Sequence, residues 1–273
     1  MLYPFSKLNG LGNSFVLMND LNGKISAGVD IHRFAQMVCD VNFGIGADGL
    51  ILVQSSGRFD FRMRIYNEDG SEAEMCGNGI RCMVRFLAEE GICDKSALVI
   101  ETLAGPVATV QKAGNMIEVD MGYPVFFNDD VVANETDGLL QVQAADTTFH
   151  FVSMGNPHAI TFVDSFDFDW RKLGAEVENE TSIFPHRTNV EFGRVENEGE
   201  MTMKVWERGC GETQACGTGT CALVVAAVHT NRVQEGDVLV HLPGGDLFIN
   251  YSRGNSVRMT GPAKMVCQGN YIF

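Results

Sequence analysis

Eight cysteines occur in this 273-residue chain, yet none is spaced C-x-x-C from another. The usual zinc and thioredoxin spacings are therefore absent. No stretch approaches the roughly 18 consecutive apolar residues of a membrane span. The longest candidate, Ala222 to Val228, has the length of part of a buried helix. The first residues, MLYPFSKLNG, lack the basic region and apolar core of a secretory signal. A reducing, cytoplasmic setting with unpaired thiols is therefore the expectation. Basic residues are also scarce, with Lys+Arg at 20 against Asp+Glu at 35 and a formal net charge of −15. That balance argues against a general nucleic-acid surface, which needs clustered Lys and Arg. It leaves room for a small anionic ligand held by a local basic group. Hydrophobic residues make up 45% of the chain, an ordinary value for a folded protein.

What the chain does have is an internal repeat. Residues 63–79 read MRIYNEDGSEAEMCGNG and residues 203–219 read MKVWERGCGETQACGTG. At an offset of 140 they share Met63/Met203, Glu72/Glu212, Cys76/Cys216, Gly77/Gly217 and Gly79/Gly219. Gly105 falls on Gly245 at the same offset, and a nearby offset of 143 matches Gly12-Asn13 to Gly155-Asn156. The length suits two domains of one fold. The expected division is residues 1–120 with Cys76 and residues 121–273 with Cys216, the last residues being free to cross back to the first domain.

Hydrophobic alternation predicts strands at 49–53, 61–66, 97–102 and 107–111, and again at 201–206, 238–242 and 246–251. Helical patterns follow each Cys-Gly-x-Gly, at Ile80–Glu90 and Thr220–Thr230. The second is apolar nearly all round, which places it inside a core. The predicted class is α+β: two pseudo-symmetric domains, each a mostly antiparallel curled sheet or barrel around a central buried helix.

The two motif cysteines stand apart from the rest. Most free cysteines are buried and inert, and Cys39, Cys82, Cys93, Cys221 and Cys267 are read that way. Cys76 and Cys216 instead open a helix behind glycines. There the unpaired N–H groups and the helix dipole favour an anion, and a thiol is expected to have a lowered pKa. Equivalent residues of two like domains tend to meet at a shared cleft. Two acid/base groups facing across a cleft suit inversion at a carbon that bears hydrogen, with a base on one face and an acid on the other. A redox pair or a metal site is the alternative use of the same thiols.

The segments GLGNSF (10–15), FGIGADG (43–49), NEDGSEAEMCGNGIRC (67–82), GNPH (155–158) and ERGCGETQACGTGT (207–220) resemble those of diaminopimelate epimerases. These are relatives of the proline racemases. The resemblance implies a cytoplasmic homodimer, independent of pyridoxal phosphate and of metals, that interconverts LL- and meso-diaminopimelate for lysine and cell-wall synthesis. It implies catalytic roles for Cys76 and Cys216. It implies substrate contacts from Asn13, Asn67, Asn156, Asn189, Glu207 and Arg208, with an anion cradle from the backbones of Gly77-Asn78 and Gly217-Thr218. His158 and Glu207 would assist the thiols. The residue types suit the substrate's far end: Arg208 offers a planar fork to a carboxylate, Glu207 an anion to an ammonium, and the asparagines both donors and acceptors. Three positions depart from the family pattern, namely Ser14, Gly49 and Cys210, where Asp, Gln in some members, and Ala are found. Proline and hydroxyproline racemases are the nearest competing reading, but they carry His where this chain has Asn78. A non-catalytic thiol or metal-binding protein is the competing reading from another class.

Overall fold

The computed structural model describes residues 1–133 and 138–273. In chain order the elements are β1 (Leu2–Gly10), β2 (Asn13–Asn19), α1 (Lys24–Gly28), α2 (Ile31–Cys39), β3 (Gly49–Gln54), β4 (Phe61–Asn67), β5 (Glu72–Ala73), α3 (Gly77–Glu89), β6 (Ala97–Thr102), β7 (Gly105–Gln111) and β8 (Met116–Asp120). There follow β9 (Leu140–Ala144), β10 (Thr147–Ser153), β11 (Pro157–Phe162), α4 (Trp170–Glu178), β12 (Asn189–Asn197), β13 (Glu200–Glu207), β14 (Gly211–Glu212), α5 (Gly217–His229), β15 (Gly236–Leu242), β16 (Gly245–Tyr251), β17 (Arg258–Pro262) and β18 (Lys264–Ile272).

Two compact units result: Met1–Asp120 with Thr260–Phe273, and Met121–Met259. Thr260–Phe273, the last residues, group with the first unit. There β18 lies antiparallel to β1 from Ile272 opposite Leu2 to Lys264 opposite Asn9.

Each unit repeats one connectivity. In the first, β2 runs parallel to β3, β3 antiparallel to β4, β4 antiparallel to β5 and parallel to β6, and β6 antiparallel to β7. In the second, β11 and β12, β12 and β13, β13 with β14 and β15, and β15 and β16 repeat those relations in the same order. Even a loop contact recurs, with Ala104 N–H donating to Glu74 O at 3.3 Å and Gly244 N–H to Gln214 O at 2.8 Å. The sheet is mostly antiparallel and, among the described residues, does not close into a barrel.

The helix after each cysteine is the core of its unit. Helix α3 packs on β1, β2, β3, β4, β8 and β18, and α5 on β10, β11, β12 and β16. Helix α3 is buried without a break from Gly77 to Val84 and again at Phe86 and Leu87, and turns Glu89 to solvent. Helix α5 is buried without a break from Gly219 to Val228, as its all-apolar sequence requires. A second cluster in the first unit packs Phe34, Ala35 and Val38 of α2 on Val16, Leu50 and Leu52. That in the second packs Trp170 and Val177 of α4 on Phe149, Phe151 and Phe192. Among the described residues no helix is long and apolar enough to cross a membrane.

Candidate active site

Both helices begin three residues earlier than the apolar pattern predicts, because the cysteines themselves cap them. Cys76 and Cys216 have extended backbones (φ −145° and −109°). Each Sγ accepts the N–H three residues on, from Gly79 at 3.4 Å and from Gly219 at 3.3 Å. A sulfur thus fills the place usually taken by a Ser, Thr or Asp oxygen. The first-turn N–H groups at Gly77-Asn78 and Gly217-Thr218 are of the kind left without intrahelical partners. The glycine at the third helical position has a packing reason in each unit. A Cβ there would lie 3.1 Å from Ile51 Cδ1 at Gly79, and 2.4 Å from Glu191 Oε1 at Gly219.

Around Cys76 the groups are amides and one buried cation. Asn13 follows Gly12, whose φ of 87° lies in the left-handed region, as does that of Gly155 (93°) before Asn156. Asn13 Oδ1 accepts from Asn78 Nδ2 at 3.3 Å and from Cys76 Sγ at 3.9 Å. Its Nδ2 donates to Asp48 Oδ2 at 3.1 Å, an oxygen that also takes the Ser14 N–H and hydroxyl. Asn78 Oδ1 accepts from Arg81 at 2.8 Å. The Arg81 guanidinium is fully buried and also donates to Pro262 O and Gly77 O. Asn67 is exposed in its own turn, with Nδ2 donating to Ser71 Oγ at 2.9 Å.

Around Cys216 the groups are carboxylates and an imidazole. His158 of β11 and Glu191 of β12 are wholly buried, with Nδ1 2.7 Å from Oε1. His158 Nε2 is 3.1 Å from Asn156 Oδ1. The ligating atoms of His158, Glu191 and Cys216 all lie within 4.8 Å of one another. Glu207, at the end of β13, accepts from Thr213 Oγ1, its carboxylate acts electrostatically on the Cys216 thiol, and Thr218 Oγ1 is 3.6 Å from Cys216 Sγ.

This setting reverses one expectation. Burial first, then the Glu207 and Glu191 carboxylates, push the Cys216 thiol well above its ordinary value. The helix start does act in the expected sense, since the Gly219 N–H together with the Thr218 hydroxyl lowers it, but desolvation wins. Burial likewise raises the Glu207 and Glu191 carboxyls, against the opposing influence of His158. Burial takes Cys39 and Cys82 up to about 12, which suits inert core thiols. Cys221 is buried as well, Cys93 is half-buried, and Cys210 and Cys267 are exposed.

Glu207 and Arg208 part company. Glu207 turns to Cys216, while Arg208 is exposed and donates from its guanidinium to His186 O at 3.0 Å. Among the described residues the two form no ion pair. Asn189 is buried, with Nδ2 on Pro157 O and Oδ1 receiving the Arg208 N–H, both at 2.9 Å. Its amide therefore fixes the backbone that carries Arg208. Glu191, Asp48, Arg81 and Thr213 carry roles that motif reading did not give them.

A family model described as diaminopimelate epimerase matches residues 5–127 and 150–266. The chain belongs to the diaminopimelate epimerase family. The diaminopimelate epimerase of Carboxydothermus hydrogenoformans is 46% identical over 98% of this chain and 99% of its own length. That of Desulfitobacterium hafniense is 46% identical over 96% of each. In fold the chain is similar to a PhzF-family phenazine biosynthesis protein of Bacillus anthracis (TM-score 0.75, 16% identity, all of both chains). It is also similar to a hydroxyproline epimerase of Agrobacterium vitis (TM-score 0.69, 15% identity, 99% and 91% of the chains). Against the family pattern, Ser14 is held by Asp48. At Gly49 a Cβ would stand 2.8 Å from Tyr66 O, so in this chain β3 lies too close to β4 for a longer side chain. Cys210 sits exposed in the turn that its N–H closes onto Glu207 O at 3.0 Å.

Proposed function

We propose that this chain converts LL-diaminopimelate to meso-diaminopimelate by a two-base route, with Cys76 and Cys216 as the paired base and acid. The observation that carries the reading is the duplicated thiol-capped helix start within a chain of this family. A thiolate on one face of the α-carbon removes its proton, and the opposing thiol delivers a proton to the other face. In the reverse direction the two exchange roles. The carboxylate next to the reacting carbon gains charge as the proton leaves. First-turn N–H groups at Gly77-Asn78 and Gly217-Thr218 are suited to stabilise it.

In this reading Asn13 and Asn156 orient the near end. Arg208 is exposed and forked for the distal carboxylate, and Asn67 and Asn189 complete the proposed contacts. Glu207 and His158 assist Cys216. The thiols supply both acid and base, so no step calls for pyridoxal phosphate or a metal. We further propose a homodimer working in the cytoplasm, where cysteines stay reduced.

The test is direct. Purified protein, without added pyridoxal phosphate or metal, is given LL-diaminopimelate and L-proline side by side. Inversion of diaminopimelate and not of proline is expected. Inversion of proline alone, or stoichiometric zinc with no epimerisation, would overturn the reading.

A further inference from the structure

The two units put different side chains at the same place. Phe15 pairs with Gly49 across the parallel strands β2 and β3, and His158 pairs with Asn189 across β11 and β12. Two residues further along, the second strand of each pair carries Ile51 or Glu191, and each faces the glycine at the third position of its helix. Phe15 and Ile51 are core residues of the first unit. The same fold in the second unit replaces them with a buried imidazole and a buried carboxylate. The architecture therefore does not need a carboxylate at position 191. Moreover, Glu191 Oε2 is buried with no hydrogen-bond partner among the described residues, an arrangement that costs stability.

The hydrogen-bond pattern says what Glu191 gains for the site. His158 Nε2 faces an amide oxygen, so that nitrogen carries a hydrogen. Nδ1 faces a carboxylate oxygen, so a second hydrogen lies between them. Glu191 thus fixes the ring's orientation, within 4.8 Å of the Cys216 sulfur. The charged or titratable groups around that ring are Glu191 of β12, Glu207 of β13 and Cys216 before α5.

We propose that Glu191 is a positioning residue, which holds the His158 ring with hydrogen on Nε2 and in place beside Cys216, so that this thiol can act in both directions. The inference rests on the two-thiol reading. It assigns Glu191 no contact with substrate.

The experiment compares E191Q, which keeps size and one hydrogen bond to the ring, with wild type and C216A. A fall in kcat of about 100-fold or more is expected for E191Q, by analogy with the carboxylate that orients a catalytic histidine. KM should change by no more than about twofold, since no substrate contact is removed. The proton between His158 Nδ1 and Glu191 should give a strongly downfield NMR resonance in wild type, lost in H158F and moved upfield in E191Q. That resonance is measured on the native protein, so it tests the proposal even if E191Q fails to fold. Its absence from wild type, or wild-type kcat in folded E191Q, overturns the proposal. C216A separates the two ideas. If C216A still inverts substrate, the two-thiol reading itself falls. If C216A is inactive while E191Q is fully active, only the role of Glu191 falls.

Discussion

Cys76 and Cys216 cap equivalent helices in units of the same connectivity, yet the side chains around them differ. Beside Cys76 stand neutral amides and, on the next two residues, the buried guanidinium of Arg81. Beside Cys216 stand Glu207 and Glu191, with His158 hydrogen-bonded to Glu191. The position equivalent to Arg81 in the second unit is Cys221, a buried thiol in an apolar helix. Common to both halves are the backbone devices: the left-handed glycine before an asparagine, the thiol cap, and the glycine at the third helical position. The duplication thus supplies a pair of capped thiols, and the side chains around them set what each thiol does. A racemising pair needs two proton carriers that can exchange roles without being alike at rest.

The largest expected effects break the comparison outright. Cys76→Ala and Cys216→Ala should each lower the inversion rate by about 10⁴-fold or more, the upper range for losing one acid/base group. Either variant retaining more than a hundredth of wild-type activity would mean that the halves are not a pair.

Next come the buried charges. Arg81→Met should destabilise the first unit by about 2–4 kcal/mol, because Asn78 Oδ1 and Pro262 O lose their charged donor. Cys221→Ala, at the equivalent position, should cost much less. Chemical denaturation of both variants gives the ratio, and equal losses would show that Arg81 only fills space. The double variant H158F/E191I copies Phe15 and Ile51 into the second unit. It should be inactive but as stable as wild type, or more stable by about 1–4 kcal/mol, as when buried ion pairs give way to packed apolar groups. A marked loss of stability would mean that the pair is needed for folding.

A smaller effect sharpens the electrostatic contrast. The Cys216 thiol is raised by burial and by Glu207, so its alkylation should keep accelerating above pH 9. Glu207→Gln removes a nearby negative charge and should speed that alkylation at pH 8 by about tenfold, one pKa unit of thiolate. The linked stability has a definite sign. A thiol whose folded pKa exceeds its unfolded value, about 8.5, binds its proton more tightly when folded. Its contribution is complete below that pH and is lost as pH rises toward the folded value. Cys216→Ala should remove this alkaline loss, which thermal melts from pH 7 to 10 would follow. An unchanged melt profile would contradict the raised thiol.

Much of this was legible in the sequence because the repeat lies in short backbone motifs. Strands β3, β4, β6, β7, β13, β15 and β16 fall on the predicted segments within a few residues. The helix starts were misplaced by one turn because a cysteine is not an ordinary cap and the apolar periodicity begins only after the glycines. The lowered thiol pKa expected at Cys216 has the wrong sign, since burial by distant parts of the chain and then the charges of Glu207 and Glu191 leave no local signature. Glu191 did leave a trace. A carboxylate between Val190 and Phe192 of β12 aligns with Ile51 at the repeat offset, and a buried acid where the other copy has isoleucine marks a function. The adjacent pair Glu207-Arg208 suggested one distal clamp, but the two side chains leave in different directions.

The central claim is that two thiols act on opposite faces of one carbon, and isotope uptake tests it most directly. The reaction is started in heavy water from LL-diaminopimelate alone and sampled while conversion is low. The meso product should carry solvent deuterium at the inverted α-carbon, because the delivering thiol had exchanged with solvent, while the remaining LL substrate stays largely unlabelled. Substrate and product acquiring deuterium equally fast from the earliest samples would contradict it and indicate a single base.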